Sequence, residues 1–253
     1  MKAAWNHGLW RVAITMGVCA ILAMAARAAI GQAARADTAQ SSGIASVDDH
    51  YTVKWNGISV GDLRIQIEPQ AGESGCYVGR ATTQPNLIAD KVYGAPRQVS
   101  VFCVVDGSIH TRSYRYELPG HPDRDYSLTF NWRNHTVTDN EGHVRHIPDN
   151  AVDSFTLQQA VRLWLRAHAA DADPPDANFT LVDRKNLTHY RLKRVGRQTI
   201  DTPAGRFNTW LMERIDNPDK VGKYWIAPER EYLPVASETR NGMASVLTTM
   251  LAR

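Results

Sequence analysis

The fold is decided in the stretch Tyr51-Thr52-Val53-Lys54-Trp55-Asn56-Gly57-Ile58-Ser59-Val60-Gly61. Tyr51, Val53 and Trp55 alternate with Thr52 and Lys54, a period of two that puts the three large side chains on one face of a strand. Asn56-Gly57 suits a tight hairpin turn, because both residues tolerate positive φ. Ile58 to Ile67 reads as the returning strand, with Gly61 marking a bulge or a close backbone approach. The chain therefore opens its folded part as an antiparallel hairpin with one apolar face.

The same punctuation continues outward. Cys76–Thr83 and Arg97–Val105 are the next strands, and pairing them around the connection at 86–92 sets Cys76 nearly opposite Cys103. Asp106-Gly107 turns the chain into Ser108–Leu118, where Ile109, Thr111 and Ser113 alternate with His110, Arg112 and Tyr114. Strands are expected at 125–133, 135–138, 143–147, 178–183, 189–195, 207–215, 221–226, 233–239 and 244–251. Asn140-Glu141-Gly142 and Thr202-Pro203-Ala204-Gly205 supply turns among them. One helix is expected from Ser154 to His168, with Asp153 or Ser154 as its cap. Leu157, Val161, Trp164 and His168 form its apolar stripe, and Phe155, Leu163 and Leu165 widen it. These elements predict a mainly β fold: a large antiparallel sheet, open or partly closed like a barrel, with one amphipathic helix packed on it.

The first 36 residues have a different composition. Lys2 and Arg11 precede an apolar run, Val12–Ala26, of a length that suits a signal peptide better than a membrane span. Ala34-Arg35-Ala36 has the small-x-small form of a cleavage site, and Ala26-Arg27-Ala28 offers an earlier one. The expected organisation is a signal peptide at 1–36, a Ser/Ala-rich flexible leader at 37–49 and one mostly β domain at 50–253. Export to the periplasm follows, with no transmembrane anchor left after cleavage. The signal segment holds four of the 29 Lys and Arg residues (Lys2, Arg11, Arg27, Arg35) and none of the 26 acids. Twenty-five basic side chains then face 26 acidic ones, so clustered positive charge for nucleic acid is absent. Cys76 and Cys103 alone lie beyond the signal segment, and in an oxidising compartment they predict one disulfide.

Several segments in order carry a resemblance: Tyr51-x-Val53-x-Trp55-x-Gly57-Ile58-x-Val60-Gly61, Asp153-x-Phe155-x-Leu157, Thr202-Pro203-x-Gly205-x-Phe207-x-Thr209, Trp225-Ile226-Ala227-Pro228 and Leu233-Pro234-Val235. Together they resemble the family of bacterial exported proteins known as domain of unknown function 3108, from Tyr51 to the C-terminus. The resemblance implies an envelope protein rich in β-strands and carries over no catalytic residue or cofactor. The architecture is also similar to that of periplasmic lipoprotein carriers, in which a helix lies across the concave side of an open sheet.

Chemistry-bearing motifs are sparse. His143-x-x-His146 with His135 offers imidazoles for a metal, yet positions i and i+3 on a strand point to opposite faces. His121-Pro122-Asp123-Arg124-Asp125 has the residues of a hydrolase site and also the composition of a polar loop. Ser154 and His168 read as a helix cap and a helix end. There is no G-x-S-x-G elbow, phosphate-binding glycine loop or H-E-x-x-H helix. The sequence therefore predicts no catalytic residue, no metal and no cofactor. It predicts a binding or carrier module for a hydrophobic or lipid-like envelope ligand, with Leu157, Val161 and Trp164 facing that ligand and the helix as a movable cover. The alternative is a structural component that contacts another envelope protein.

Overall fold

A computed structural model describes residues 43–241 and 245–253, so the expected signal peptide and the leader up to residue 42 lie outside the described residues. The chain first runs through β1 (Val47–Trp55), β2 (Ile58–Pro69), β3 (Cys76–Pro85), a short helix α1 (Leu87–Tyr93), β4 (Arg97–Val105), β5 (Ser108–Glu117), β6 (Tyr126–Asn131), β7 (Thr136–Asp139) and β8 (Val144–His146). It continues with β9 (Ala151–Val152), helix α2 (Thr156–Ala167), β10 (Ala177–Val182), β11 (Leu187–Thr202), β12 (Gly205–Arg214), β13 (Lys220–Ala227), β14 (Leu233–Asn241) and β15 (Ser245–Leu251). All the strands join one sheet in the order β8-β7-β6-β5-β4-β3-β2-β1-β15-β14-β13-β12-β11-β10-β9. Each meander is sequential, and the first and last strands meet at its centre, with Tyr51 opposite Leu251 and Trp55 opposite Leu247. Among the described residues, only β9 and β10 pair in parallel.

The sheet is not closed by a ladder, but its two ends are brought together. The edge strands β8 and β9 are four residues apart in the chain. Across the gap, Arg145 in β8 donates through Nη2 to the Asp183 carbonyl (2.9 Å) and through Nη1 to that of Asn186 (3.2 Å), in the β10–β11 turn. Arg184 in the same turn bonds the Asp123 carbonyl and the Glu141 carboxylate. The expected open, barrel-like antiparallel sheet is what forms.

Local chemistry explains the hairpins. Asn56 and Gly57 have φ of 48° and 82°, and Asp106 and Gly107 have 49° and 76°, the left-handed pairs that tight turns require. Gly61 has φ 147°, and a Cβ there would lie 2.3 Å from the Gln84 carbonyl oxygen, so the close approach and the bulge near Val53 and Lys54 depend on glycine. Cys76 stands opposite Cys103 in the β3–β4 ladder, and the two are disulfide-bonded.

Helix α2 lies in the concavity of the sheet, and both its ends are pinned. Asp153, fully buried, caps the start: Oδ1 accepts from the Phe155 and Thr156 amides (2.7 and 2.9 Å). Its Oδ2 accepts from Ser100 Oγ (2.8 Å) and Thr111 Oγ1 (2.9 Å) on β4 and β5. Burial pushes this carboxyl up, against the four donors that hold it down. At the far end Arg194 Nη1 donates to the His168 carbonyl (2.9 Å). At the helix start the Phe155 ring packs where a Cβ on Gly79 would sit, so β3 can approach only as glycine.

Four expectations need correction. Residues 86–92 are not a plain connection: they form α1, whose Asn86 cap accepts from the Ala89 amide. The strand expected at 189–195 continues to Thr202 through a bulge at Arg194–Gly196. In β5, Val101 pairs with Ser113 and Phe102 with Thr111, leaving Arg112 as a bulge. That extra residue turns Tyr114 to the buried face with Ile109 and Thr111, which strict alternation would forbid. Residues 47–49, expected in the leader, belong to β1, and Ile44 is buried.

The helix is also buried around most of its circumference. Gln159 and Arg162, on the side read as polar, are as buried as Val161 and Leu165 because the sheet curls around them. Arg162 Nε donates to the Glu231 carbonyl (2.6 Å), and burial lowers its pKa to about 10. These contacts seat the helix in the sheet as a plug.

Candidate functional site

The inward-facing rows of four adjacent strands share one trend. In β3, Tyr77, Gly79 and Ala81 are buried, whereas Thr83 and Pro85 are only half-buried. In β1, Val47, Tyr51 and Val53 are buried and Trp55 is 38% exposed. In β2 the row runs from buried Ile67 and Ile65 to half-buried Leu63, and in β15 from buried Leu251 to Leu247 at 42%. Burial therefore fails at the same end of each strand, beyond the reach of α2. The apolar rows of the core continue past the helix, and nothing in the described fold covers them.

The result is an open cleft of about 420 Å³, lined by Val53, Trp55, Leu63, Thr83, Pro85 and Leu247, with Ala89 of α1 at its side. Among the described residues that line it, none carries a charged side chain; Thr83 and Thr249 provide the side-chain hydroxyls. The local sequence builds it directly. Pro85 ends β3, and α1 is fastened to the start of β2 by the Asn86 amide, which donates to the Val60 carbonyl (2.8 Å), and by Asn86 Nδ2, which donates to the Ser59 carbonyl (3.0 Å). Gly61 and Gly94 keep the wall low where Cβ atoms would meet Gln84 and Leu118.

The side chains expected to meet a ligand are divided between two other spaces. Leu157 and Val161 border a crevice of about 30 Å³ with Tyr190, Leu192, Tyr224 and Ile226. Trp164 borders a cleft of about 360 Å³ with Ile109, Asp149, Asn150, His168 and Phe179, at the strand ends opposite the apolar cleft. Trp164 also stacks on His168 at 4.6 Å between ring centroids.

The titratable residues singled out in the sequence do not converge. His143 Nδ1 lies 3.1 Å from Asp139 Oδ2, and His135 Nδ1 lies 3.0 Å from Asp149 Oδ1, each a local pair on the surface. Asp125 accepts from the Leu118 amide, His121 begins a single 3₁₀ turn and the Asp123 carbonyl accepts from Arg184, so the polar groups of the His121–Asp125 loop serve structural contacts. Ser154 Oγ pairs with Tyr114 Oη (2.6 Å), and His168 Nδ1 lies 2.8 Å from the Trp164 carbonyl oxygen, at opposite ends of the helix. Glu73 with Cys76 and Cys103 is the one grouping of three metal-ligand atoms among the described residues, and both its sulfurs are in the disulfide.

Missed by sequence reading were α1 and the lining that it helps to enclose. The available signal was Asn86 as a cap ahead of Leu87-Ile88-Ala89, but seven residues are too few for a helical period to stand out.

These features define a class: an antiparallel sheet curled like an unclosed barrel, plugged by one helix and left apolar and open at one end. Within that class the chain belongs to the DUF3108 family of proteins of unknown function, whose model matches residues 50–251. No curated protein matches the sequence. Among solved structures it is similar to a beta-barrel-like protein of domain of unknown function DUF1849 from Brucella abortus. That likeness has 10% identity and a TM-score of 0.52, covering 83% of this chain and 96% of that one. It is also similar to a protein of YmcC-like fold from Bacteroides fragilis, at 15% identity and a TM-score of 0.36, over 81% of this chain and 93% of that one. The first likeness supports the fold alone.

Proposed function

We propose that the protein is an exported, non-enzymatic binding or carrier module that holds a hydrophobic or lipid-like envelope molecule in the cleft at the Trp55 end. The observation that carries this is the loss of burial along four neighbouring inward rows, ending in an uncharged cleft of about 420 Å³. Affinity would come from removing apolar surface from water, at about 25 cal/mol per Å², less the cost of immobilising the ligand. The expected signal peptide and the Cys76–Cys103 disulfide support the periplasm as its compartment. Leu157, Val161 and Trp164 enter the proposal through the helix, with the Trp164 cleft as a second place for a ligand.

The alternative, an envelope component that recruits a protein through its sheet edge, is weakened by the edges themselves. β8 has three residues and β9 two, too short to template a partner strand.

Two neighbouring positions on β3 test the proposal, because they face opposite sides. Thr83→Trp fills the cleft, and Thr82→Trp places the same indole on the outer face. Wild type and Thr82→Trp should bind N-phenyl-1-naphthylamine with matching affinity, and Thr83→Trp at least tenfold more weakly. Equal binding by a folded Thr83→Trp protein would remove the cleft from the account.

A further inference from the structure

The three most exposed large apolar side chains among the described residues are Leu87 (84%), Ile88 (78%) and Ile58 (71%). Each adjoins the lining of the apolar cleft: Ile58 is paired with Trp55, and Leu87 and Ile88 immediately precede Ala89 on α1. Ile58 is the cross-strand partner of Trp55, and Trp55 that of Leu247, so three lip residues follow one another across the sheet. The first turn of α1 is fastened to the same place, since Asn86 bonds the carbonyls of Ser59 and Val60. Two elements distant in sequence thus present exposed aliphatic side chains at the same end of the sheet.

This arrangement has no reward within the fold. Ile58 packs too little to stabilise β2, and Leu87 and Ile88 occupy the helix turn where polar or acidic residues would serve the backbone better. Clustered exposure of large apolar side chains, unlike their single scattering, points to an interaction site. Its shape indicates the kind of partner. A stable protein interface takes about 800 Å² per partner in matched relief, whereas this patch offers five exposed apolar side chains beside an open cleft. A lipid surface demands no matched relief, accepts aliphatic side chains in its acyl layer and favours tryptophan at the headgroup level. Exposed Lys54 adjoins Trp55 in sequence, and exposed Lys91 lies one turn on from Leu87 and Ile88. Neither lysine has an ion-pair partner among the described residues, which leaves both for anionic headgroups. Asp90 on the same helix offsets part of that charge, so the aliphatic side chains carry most of the attraction.

We infer that this rim docks the open end of the sheet onto an anionic lipid surface, with Ile58, Leu87 and Ile88 entering the acyl layer. The cleft mouth then faces hydrocarbon, and an acyl chain or similar molecule passes between bilayer and protein without crossing water. The transfer step rests on the cleft being a ligand site; the docking step does not.

Flotation of the protein, without its signal segment, on vesicles of phosphatidylethanolamine and phosphatidylglycerol tests the docking. Wild type should float with the vesicles, and the triple variant Ile58→Ser, Leu87→Ser, Ile88→Ser should bind at least tenfold more weakly. The double variant Lys54→Gln, Lys91→Gln should lose about two- to threefold, and only on vesicles that contain the anionic lipid. All three changed apolar positions are exposed, so the triple variant should fold and still take up N-phenyl-1-naphthylamine in solution. Thr83→Trp should show the reverse pattern, floating normally while failing to bind the probe, which separates the docking surface from the cleft. Wild-type protein that stays off the vesicles, or a folded triple variant that floats like wild type, would overturn the inference. Concentration-dependent dimerisation without flotation, abolished by the triple variant, would overturn it in favour of a protein partner.

Discussion

Replacing Asp153 by alanine tests whether α2 is a fixed plug. The wild-type carboxylate accepts four hydrogen bonds of 2.7 to 2.9 Å in a site closed to solvent. Alanine removes both acceptor oxygens and with them all four bonds. The Thr111 hydroxyl can fall back on Thr156 Oγ1, 3.0 Å away, but the amides of Phe155 and Thr156 have no substitute. Loss of a helix cap costs about 1 kcal/mol. An orphaned buried donor costs about 1–3 kcal/mol, and relief from burying a charge offsets part of that. The expected net loss is about 3 kcal/mol. Asparagine keeps the cap acceptor, and its amide can donate to the Ser100 or Thr111 hydroxyl, so Asp153→Asn should lose about 1 kcal/mol. Urea unfolding of the oxidised protein, followed by tryptophan fluorescence, reads both values; a 3 kcal/mol loss lowers the midpoint by about 1–1.5 M at a typical slope. Direction with pH gives a second reading. Because burial raises the native carboxyl, its contribution is fully present below the unfolded carboxylate pKa and is lost as pH rises through the native value. That pH-dependent contribution should be missing from Asp153→Asn. An alanine variant within 0.5 kcal/mol of wild type would refute the argument that this cap holds the helix in the sheet.

Gly79→Ala places a methyl 2.0 Å from Phe155 Cε1, so the ring must shift in a packed interior, at about 1–3 kcal/mol. Adding Phe155→Leu should recover part of that loss, and additive costs in thermal unfolding would show that the two do not touch. For the disulfide, free-thiol titration of denatured, unreduced protein should find none. The Cys76→Ser, Cys103→Ser double variant should lose about 3 kcal/mol, given a sequence separation of 27 residues. Two titratable thiols in the wild-type protein would contradict it.

What could be read in the sequence was what short-range chemistry dictates. Asn56-Gly57 and Asp106-Gly107 announce their turns because few residue pairs accept that backbone. Asp153 announces the helix because a cap must stand beside the amides that it satisfies. Pairing two strands around their connection sets Cys76 only nearly opposite Cys103, and the disulfide itself follows from two cysteines in an oxidising compartment. Tyr114 was assigned to the wrong face because a bulge at Arg112 leaves no mark in an alternating pattern. Arg162 and Gln159 read as solvent-facing because their burial is imposed by how far the sheet curls, a property of all its strands together. The apolar cleft was hidden for a related reason. Val53, Trp55 and Leu63 have the residue types of an ordinary core, and only the length and placement of α2 decide which end of each inward row stays uncovered. Leu157, Val161 and Trp164 stand out instead, since a helix stripe is visible in sequence and an uncovered stretch of sheet is not.

The most direct test of the central claim is native mass spectrometry, with solvent extraction, of the protein purified from the periplasm without detergent. The account predicts a near-stoichiometric apolar or lipid-like adduct on the wild-type protein and on Thr82→Trp, absent from Thr83→Trp. A clean apo mass for the wild type, or an adduct that persists when the cleft is filled, would contradict it.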